Sequence, residues 1–273
     1  MLRFLRPVLN STPKQWIRST ARHLTGKAWL SPLQILKLRR TPRFQDASVP
    51  FLDGTLRIVD SLSFLFMYEE LFHQEIYRFR TEGRPYILDC GSNIGLSILY
   101  FKRLFPDAEV VGFEPDARIF AALSANVSAY RLADVTLMPK AVWSSETTLV
   151  FHAEGADGGR VSEGTDGGTR IETLRLRDYL VRPIDFLKID IEGAELEVLR
   201  DCRDRLDKVK RLFVEFHSFS DRKQDLESLL ECLASAGFRY YVQTTGTESK
   251  QPFISRYESA GMDMQLNIYA YRP

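Results

Sequence analysis

From Pro85 onward the chain settles into short apolar runs separated by amphipathic stretches. Runs at 86–90, 109–114, 135–138, 185–190 and 209–216 are rich in Val, Ile, Leu and Phe, and they read as strands buried on both faces. The segments 94–105, 116–130 and 194–202 between them repeat apolar positions at helical spacing. A last helix near 221–236 leads to strands at 239–243 and 265–271. Such strand–helix alternation predicts an α/β fold with a mostly parallel sheet and crossover helices. Upstream, 48–60 reads as a hairpin turning at Asp53-Gly54, followed by a helix over 62–80 that Glu82-Gly83 closes.

Two segments break the alternation. Residues 141–174 read as extra strands around a loop, 155–168, that holds six glycines in fourteen positions. Ordering glycine costs backbone entropy and buries no side chain, so the loop is expected to stay unpacked, as a lid or as an inert excursion. The other segment is 1–45. Thr12-Pro13 and Ser31-Pro32 each pair an N-cap residue with a first-position proline, predicting two short helices, and Thr41-Pro42 stops the second. The expected organisation is an N-terminal extension, 1–45, ahead of one α/β domain, 46–273, interrupted by 141–174.

Charge sharpens that division. Residues 1–45 carry ten Lys or Arg and no acid, which leaves 27 basic against 36 acidic residues in the remainder. A body with a net charge of −9 speaks against a nucleic-acid-binding face on the domain. The basic arm, with Trp16 and Trp29, has two readings: a peripheral contact with an anionic membrane, or a helical cover packed on the sheet. Its apolar stripes are short, which favours the cover. Cys90, Cys202 and Cys232 form no C-x-x-C pair, so neither a zinc site nor a disulfide framework is indicated. With no apolar run of about 18 residues and no secretory signal, the expected location is the cytoplasm, with the arm offering peripheral membrane attachment.

The chemistry concentrates at strand ends. The first strand runs into D-C-G-S-N-I-G at 89–95, where Asp89 ends the strand and Gly91 and Gly95 frame a tight turn into a helix. The next strand ends in Glu114, 25 residues after Asp89, with Pro115 behind it. An acid there is placed to accept hydrogen bonds from both ribose hydroxyls of an adenosine, and it repels a 2′-phosphate. Ser92 and Asn93 occupy the turn where a dinucleotide pyrophosphate needs bare glycine backbone, and Asp89 would face an ammonium better than an anion. This spacing favours S-adenosylmethionine over NAD, held by Asp89, Gly91, Ser92, Asn93, Gly95, Glu114, Pro115 and Asp190. An NAD-dependent oxidoreductase is the alternative enzyme, and a noncatalytic nucleotide-binding module the alternative of another class.

The stretches D-C-G-S-N-I-G (89–95), F-E-P-D (113–116) and above all F-L-K-I-D-I-E-G-A-E-L-E-V-L (186–199) resemble the FkbM family of methyltransferases. The resemblance covers about 55–272 and leaves the arm outside. It implies a class I methyltransferase fold, Rossmann-like, with a seven-stranded sheet whose last strand is antiparallel and helices on both faces. It also implies O-methylation of sugar or secondary-metabolite hydroxyls, so a small-molecule or glycan acceptor is expected.

Asp190 ends the fourth strand, and Glu215 and His217 lie two apart at the end of the fifth, facing one side of the sheet. These three are the candidate catalytic residues. Deprotonating a hydroxyl near neutral pH suits a histidine, so His217 is read as the general base. A divalent metal on Asp190, Glu215 and His217 is the alternative, is not favoured, and no metal ligand is assigned. Lys188 shares the facing of Asp190 and is expected to pair with it, whereas Glu195, Glu197 and Arg200 on the following helix read as solvated surface.

Overall fold

Ser31 caps helix α1 (Pro32–Arg40) through a reciprocal pair of bonds: its hydroxyl accepts from the Gln34 amide, and the Gln34 side chain accepts from the Ser31 amide. Proline at the first helical position and Thr41 at the C-cap follow the expected pattern. The computed structural model describes residues 30–153, 159–162, 168–246, 249–256, 258 and 261–272, so the first expected helix lies outside the described residues. In α1, Leu38 is buried in the core whereas Leu33 and Leu36 are exposed beside Lys37 and Arg40. Of α1, only this inward face serves as a cover.

Strands β1 (Ala47–Phe51) and β2 (Gly54–Ile58) form the hairpin predicted around Asp53-Gly54. Asp60 then caps α2 (Ser61–Tyr68), accepting from the amides of Leu62 and Ser63. Contrary to expectation, this helix does not run to residue 80. It widens into a π-helical turn, Glu69–His73, and ends, because Glu75 adopts a left-handed conformation (φ 54°) that a helix cannot continue through.

The central sheet is built from β3 (Tyr86–Cys90), β4 (Glu109–Phe113), β5 (Val135–Met138), β10 (Phe186–Ile189), β11 (Arg211–Phe219), β12 (Arg239–Thr244) and β13 (Met262–Tyr271). Its order is β5-β4-β3-β10-β11-β13-β12, with β13 antiparallel to both neighbours. This is the class I methyltransferase arrangement. The order moves outward from β3 to β5 and resumes on the other side of β3 with β10, so the two halves part between these strands. Ligands of such sheets bind at this switch point, outside the carboxyl ends of the strands.

Two cores cover the two faces, and strand alternation sorts residues between them. Ile87, Val110, Phe186 and Phe213 pack with α2, α3 (Leu96–Leu104) and α4 (Ala117–Ala129). Leu88, Val111, Leu187 and Val214 pack with α5 (Glu195–Cys202) and α6 (Leu226–Ser235). The same alternation puts Asp89, Lys188, Glu215 and His217 on the first of these faces, where apolar residues give way to charge at the carboxyl edge. Between β5 and β10 the chain forms a separate four-stranded sheet, β6-β9-β7-β8, from β6 (Ala141–Trp143), β7 (Thr148–Ala153), β8 (Gly159–Ser162) and β9 (Thr169–Arg175). Strand β8 corrects the expectation of a wholly unpacked glycine loop: it pairs with β7 from Ser162 to Gly159, since a ladder needs only backbone donors and acceptors. Residues 155–158 and 163–167 of that loop lie outside the described residues.

Candidate active site

Left-handed backbone at Gly91 (φ 86°), Asn93 (φ 48°) and Gly95 (φ 85°) turns the chain from β3 into α3. Amides of Gly91 and Ser92 both donate to the Phe113 carbonyl, tying the turn to the end of β4, and the Ser92 hydroxyl donates back to the Asp89 carbonyl at 2.8 Å. Gly91 is required for a second reason. A Cβ there would lie 1.9 Å from the carbonyl oxygen of Asp190, so the turn and the end of β10 touch backbone to backbone.

Glu114 is where the sequence reading put it, buried at the end of β4. One oxygen accepts from the Asn93 amide at 3.0 Å and the other from the Asp116 amide at 2.9 Å. Burial outweighs these bonds and pushes its pKa up to about 7. Each oxygen keeps a lone pair, so the donor–acceptor chemistry still fits two ribose hydroxyls. Pro115 follows, half-buried, ahead of α4.

Asp89 departs from its expected role of facing the cofactor ammonium. It is fully buried, accepts from the Ser97 hydroxyl at 2.6 Å, and lies 3.4 Å from the Lys188 ammonium. It anchors the turn. Lys188, opposite Asp89 in register, also lies 3.1 Å from Asp190 and donates to the Gly91 carbonyl at 2.7 Å. Burial disfavours its charge, but Asp190 and Asp89 more than offset that and hold its pKa above the ordinary value.

The three candidate catalytic residues do converge. His217 Nε2 lies 3.6 Å from Glu215 and 3.9 Å from Asp190. His217 is not at a strand end, however: antiparallel pairing with β13 carries β11 on to Phe219, and His217 stands opposite Gln265. Two residues missed in the sequence complete the cluster. Glu192 is 3.6 Å from Nε2, and Glu195, expected at the surface, is buried with its carboxylate 2.9 Å from Nδ1. Burial opposes a charge on the imidazole, but Glu192, Glu195 and Glu215 outweigh it and raise the His217 pKa well above its ordinary value. Burial and the nearby Asp190 push the Glu215 carboxyl well up in turn. Glu195 also accepts from the amides of Gly193 and Ile191, a role that an acid in the first turn of a helix favours.

The cation at the turn, Lys188, is thus committed to Asp89 and Asp190, and several acids crowd the edge where a pyrophosphate would have to sit. Such an edge favours a cationic ligand over a pyrophosphate. Among the described residues no helix is long and apolar enough to cross a membrane.

Comparison with known proteins identifies the family. A family model described as the methyltransferase FkbM domain matches residues 89–240, from Asp89 to β12. Methyltransferase sdnD of Sordaria araneosa is 30% identical over 206 residues, covering 61% of this chain and 80% of its own length. The 31-O-demethyl-FK506 methyltransferase FkbM of Streptomyces tacrolimicus is 29% identical over 205 residues, covering 60% and 79%. The 2-O-methyltransferase NoeI of Sinorhizobium fredii is 27% identical over 188 residues, covering 60% and 76%.

Proposed function

Because this chain belongs to the FkbM family of methyltransferases, we propose that it moves the methyl group of S-adenosylmethionine onto a hydroxyl of a sugar, glycan or hydroxylated secondary metabolite. Two of the relatives are named for methylation at oxygen, one at a 2-O and one at a 31-O position. The observation that carries the reading is the meeting, on one sheet edge, of the buried acceptor Glu114 with the Asp190–Glu215–His217 cluster.

When bound, S-adenosylmethionine supplies an electrophilic methyl group on a sulfonium. Glu114 is assigned to the ribose, and the turn Gly91, Ser92, Asn93 and Gly95, with Pro115, to the rest of the nucleoside. Asp89 and Lys188 hold that turn in shape, and Asp190 faces the cationic end. The proton lost by the acceptor goes to a carboxylate. The His217 side chain is only 1% exposed and its ring is occupied by acids, whereas Asp190 and Glu215 keep 25% and 13% exposure and can be reached. This moves the base role expected of His217 to its neighbours, with the imidazole as their counter-charge and positioning group.

Incubation with S-adenosylmethionine and a panel of glycosides, uronic acids and cyclic alcohols tests the proposal, with methylated product and S-adenosylhomocysteine read by mass spectrometry. Glu215→Gln should bind S-adenosylhomocysteine normally while turning over about 10²–10⁴-fold more slowly. Calorimetric binding of NAD without S-adenosylhomocysteine would overturn it.

A second reading concerns 1–45. The outward leucines of α1, set among Lys37 and Arg40, suit peripheral attachment to an anionic membrane. Flotation with anionic liposomes at low and high salt, with and without the segment, decides it; no binding at low salt removes it.

A further inference from the structure

The bond from Glu195 fixes the His217 ring, and burial keeps it from turning to solvent. Nε2 is thereby aimed at Glu192, Glu215 and Asp190, at 3.6, 3.6 and 3.9 Å. All three distances exceed hydrogen-bond range, which ends near 3.2 Å for N–H···O. Two atoms each about 2.1 Å from one ion lie roughly 3–4 Å apart, which is the spacing seen here. One ligand atom each from Asp190, Glu192 and His217 fits within a 4.8 Å span.

We propose that Asp190, Glu192 and His217 bind a divalent cation beside the acceptor hydroxyl, with Glu195 as the positioning residue for the imidazole. The inference builds on the methyltransferase reading and replaces Glu215 with Glu192 in the metal set considered from sequence. Three features support it. Glu195, accepting at Nδ1, keeps a proton on that nitrogen and leaves Nε2 as the position where a cation replaces the second proton of the imidazolium; metal-bound histidines are oriented by carboxylates in this way. Glu192 is held toward Nε2 by a left-handed backbone (φ 56°), unusual for this residue type. Its successor Gly193 (φ 95°) packs so closely that a Cβ would lie 2.7 Å from the Phe219 ring, so the conformation is fixed from both sides. Finally, Asp89, Asp190, Glu192, Glu195 and Glu215 together outnumber Lys188 and His217.

Carboxylates joined by one imidazole suit Mn²⁺ or Mg²⁺ better than a thiolate-seeking metal. A cation here lowers the pKa of an approaching hydroxyl and so eases loss of its proton to Glu215.

The test is a Mn²⁺ titration of the EDTA-treated full chain, followed by electron paramagnetic resonance, with S-adenosylhomocysteine binding measured in parallel by calorimetry. Wild type should bind one Mn²⁺ per chain saturably. Glu192→Gln should weaken that binding at least tenfold, and Glu195→Ala about 10–100-fold, as loss of an orienting carboxylate does. S-adenosylhomocysteine should still bind both variants, which also shows that they are folded. A wild-type chain that binds S-adenosylhomocysteine but takes up no Mn²⁺ saturably would overturn the cation site, as would unchanged Mn²⁺ affinity in Glu192→Gln. Failure to bind S-adenosylhomocysteine would instead overturn the methyltransferase reading and leave the Mn²⁺ titration to decide the site by itself.

Discussion

Glu195, on the first turn of α5, and His217, on β11, meet through a 2.9 Å contact buried from solvent. The same carboxylate oxygen takes the amides of Ile191 and Gly193, so one side chain fixes both a ring and a loop. Glu195→Ala should lower unfolding free energy by about 1–3 kcal/mol, as buried donors lose their acceptor. Glu195→Gln, which keeps an oxygen for the amides, should recover most of that stability while turnover stays depressed. Urea unfolding and steady-state rates separate the two effects.

With Glu114 assigned to the ribose, cofactor affinity should depend on pH. Burial has raised its folded pKa to about 7, so the folded apo-protein binds its proton more tightly than the unfolded chain does. Stability from this group is therefore present at low pH and falls as pH rises from the ordinary carboxylate range through about 7. Ribose hydroxyls donate to the ionised form, so S-adenosylhomocysteine binding should release a proton and tighten from pH 6 to 8. Glu114→Gln should flatten that profile and weaken binding by roughly 1.5–3 kcal/mol. Calorimetry in buffers of different ionisation heat measures both.

Gly91→Ala should be among the least tolerated single changes. A side chain at φ 86° costs about 1–2 kcal/mol by conformation, and its Cβ would displace the Asp190 carbonyl as well. A total loss of more than about 2 kcal/mol is expected, and a fall in turnover should accompany it even at temperatures where the variant stays folded. Thermal unfolding together with a rate assay checks this.

Lys188→Met should cost about 3–5 kcal/mol, because removing one partner of a buried ion pair strands the other. Asp89 would be left without its neighbouring ammonium, and Asp190 would lose the same partner. The double variant Lys188→Met, Asp89→Asn should recover part of the loss. Equal stability of the single variant and wild type would show that the ammonium is dispensable to the turn.

The sheet was legible because its strands are buried on both faces and so appear as bare apolar runs, as in Tyr86–Cys90 and Phe186–Ile189. Glu114 and the 89–95 turn were legible because their chemistry is local: an acid or glycine at a strand end implies its own geometry. Local signals failed where a partner distant in sequence decides. Nothing near Glu195 announces a histidine 22 residues away, so an acid in a first helical turn reads as surface. The Glu192 conformation is an exception to residue preference, and the full length of β11 depends on β13, which arrives last. The helix expected to reach residue 80 failed at a single backbone angle, that of Glu75.

The backbone contact between Gly91 and Asp190 also constrains how this enzyme can change over generations. With a hypothetical Cβ only 1.9 Å from the Asp190 carbonyl, the loop after β3 and the loop after β10 have no slack between them. A mutation that shifts one loop drags the other, so drift toward a new acceptor through either loop would be penalised by lost cofactor affinity. Divergence in acceptor choice is left to parts that this contact does not tie down, among them the side sheet β6-β9-β7-β8. Relatives with different acceptors should accordingly superpose closely at Gly91 and Asp190 and scatter most between β5 and β10.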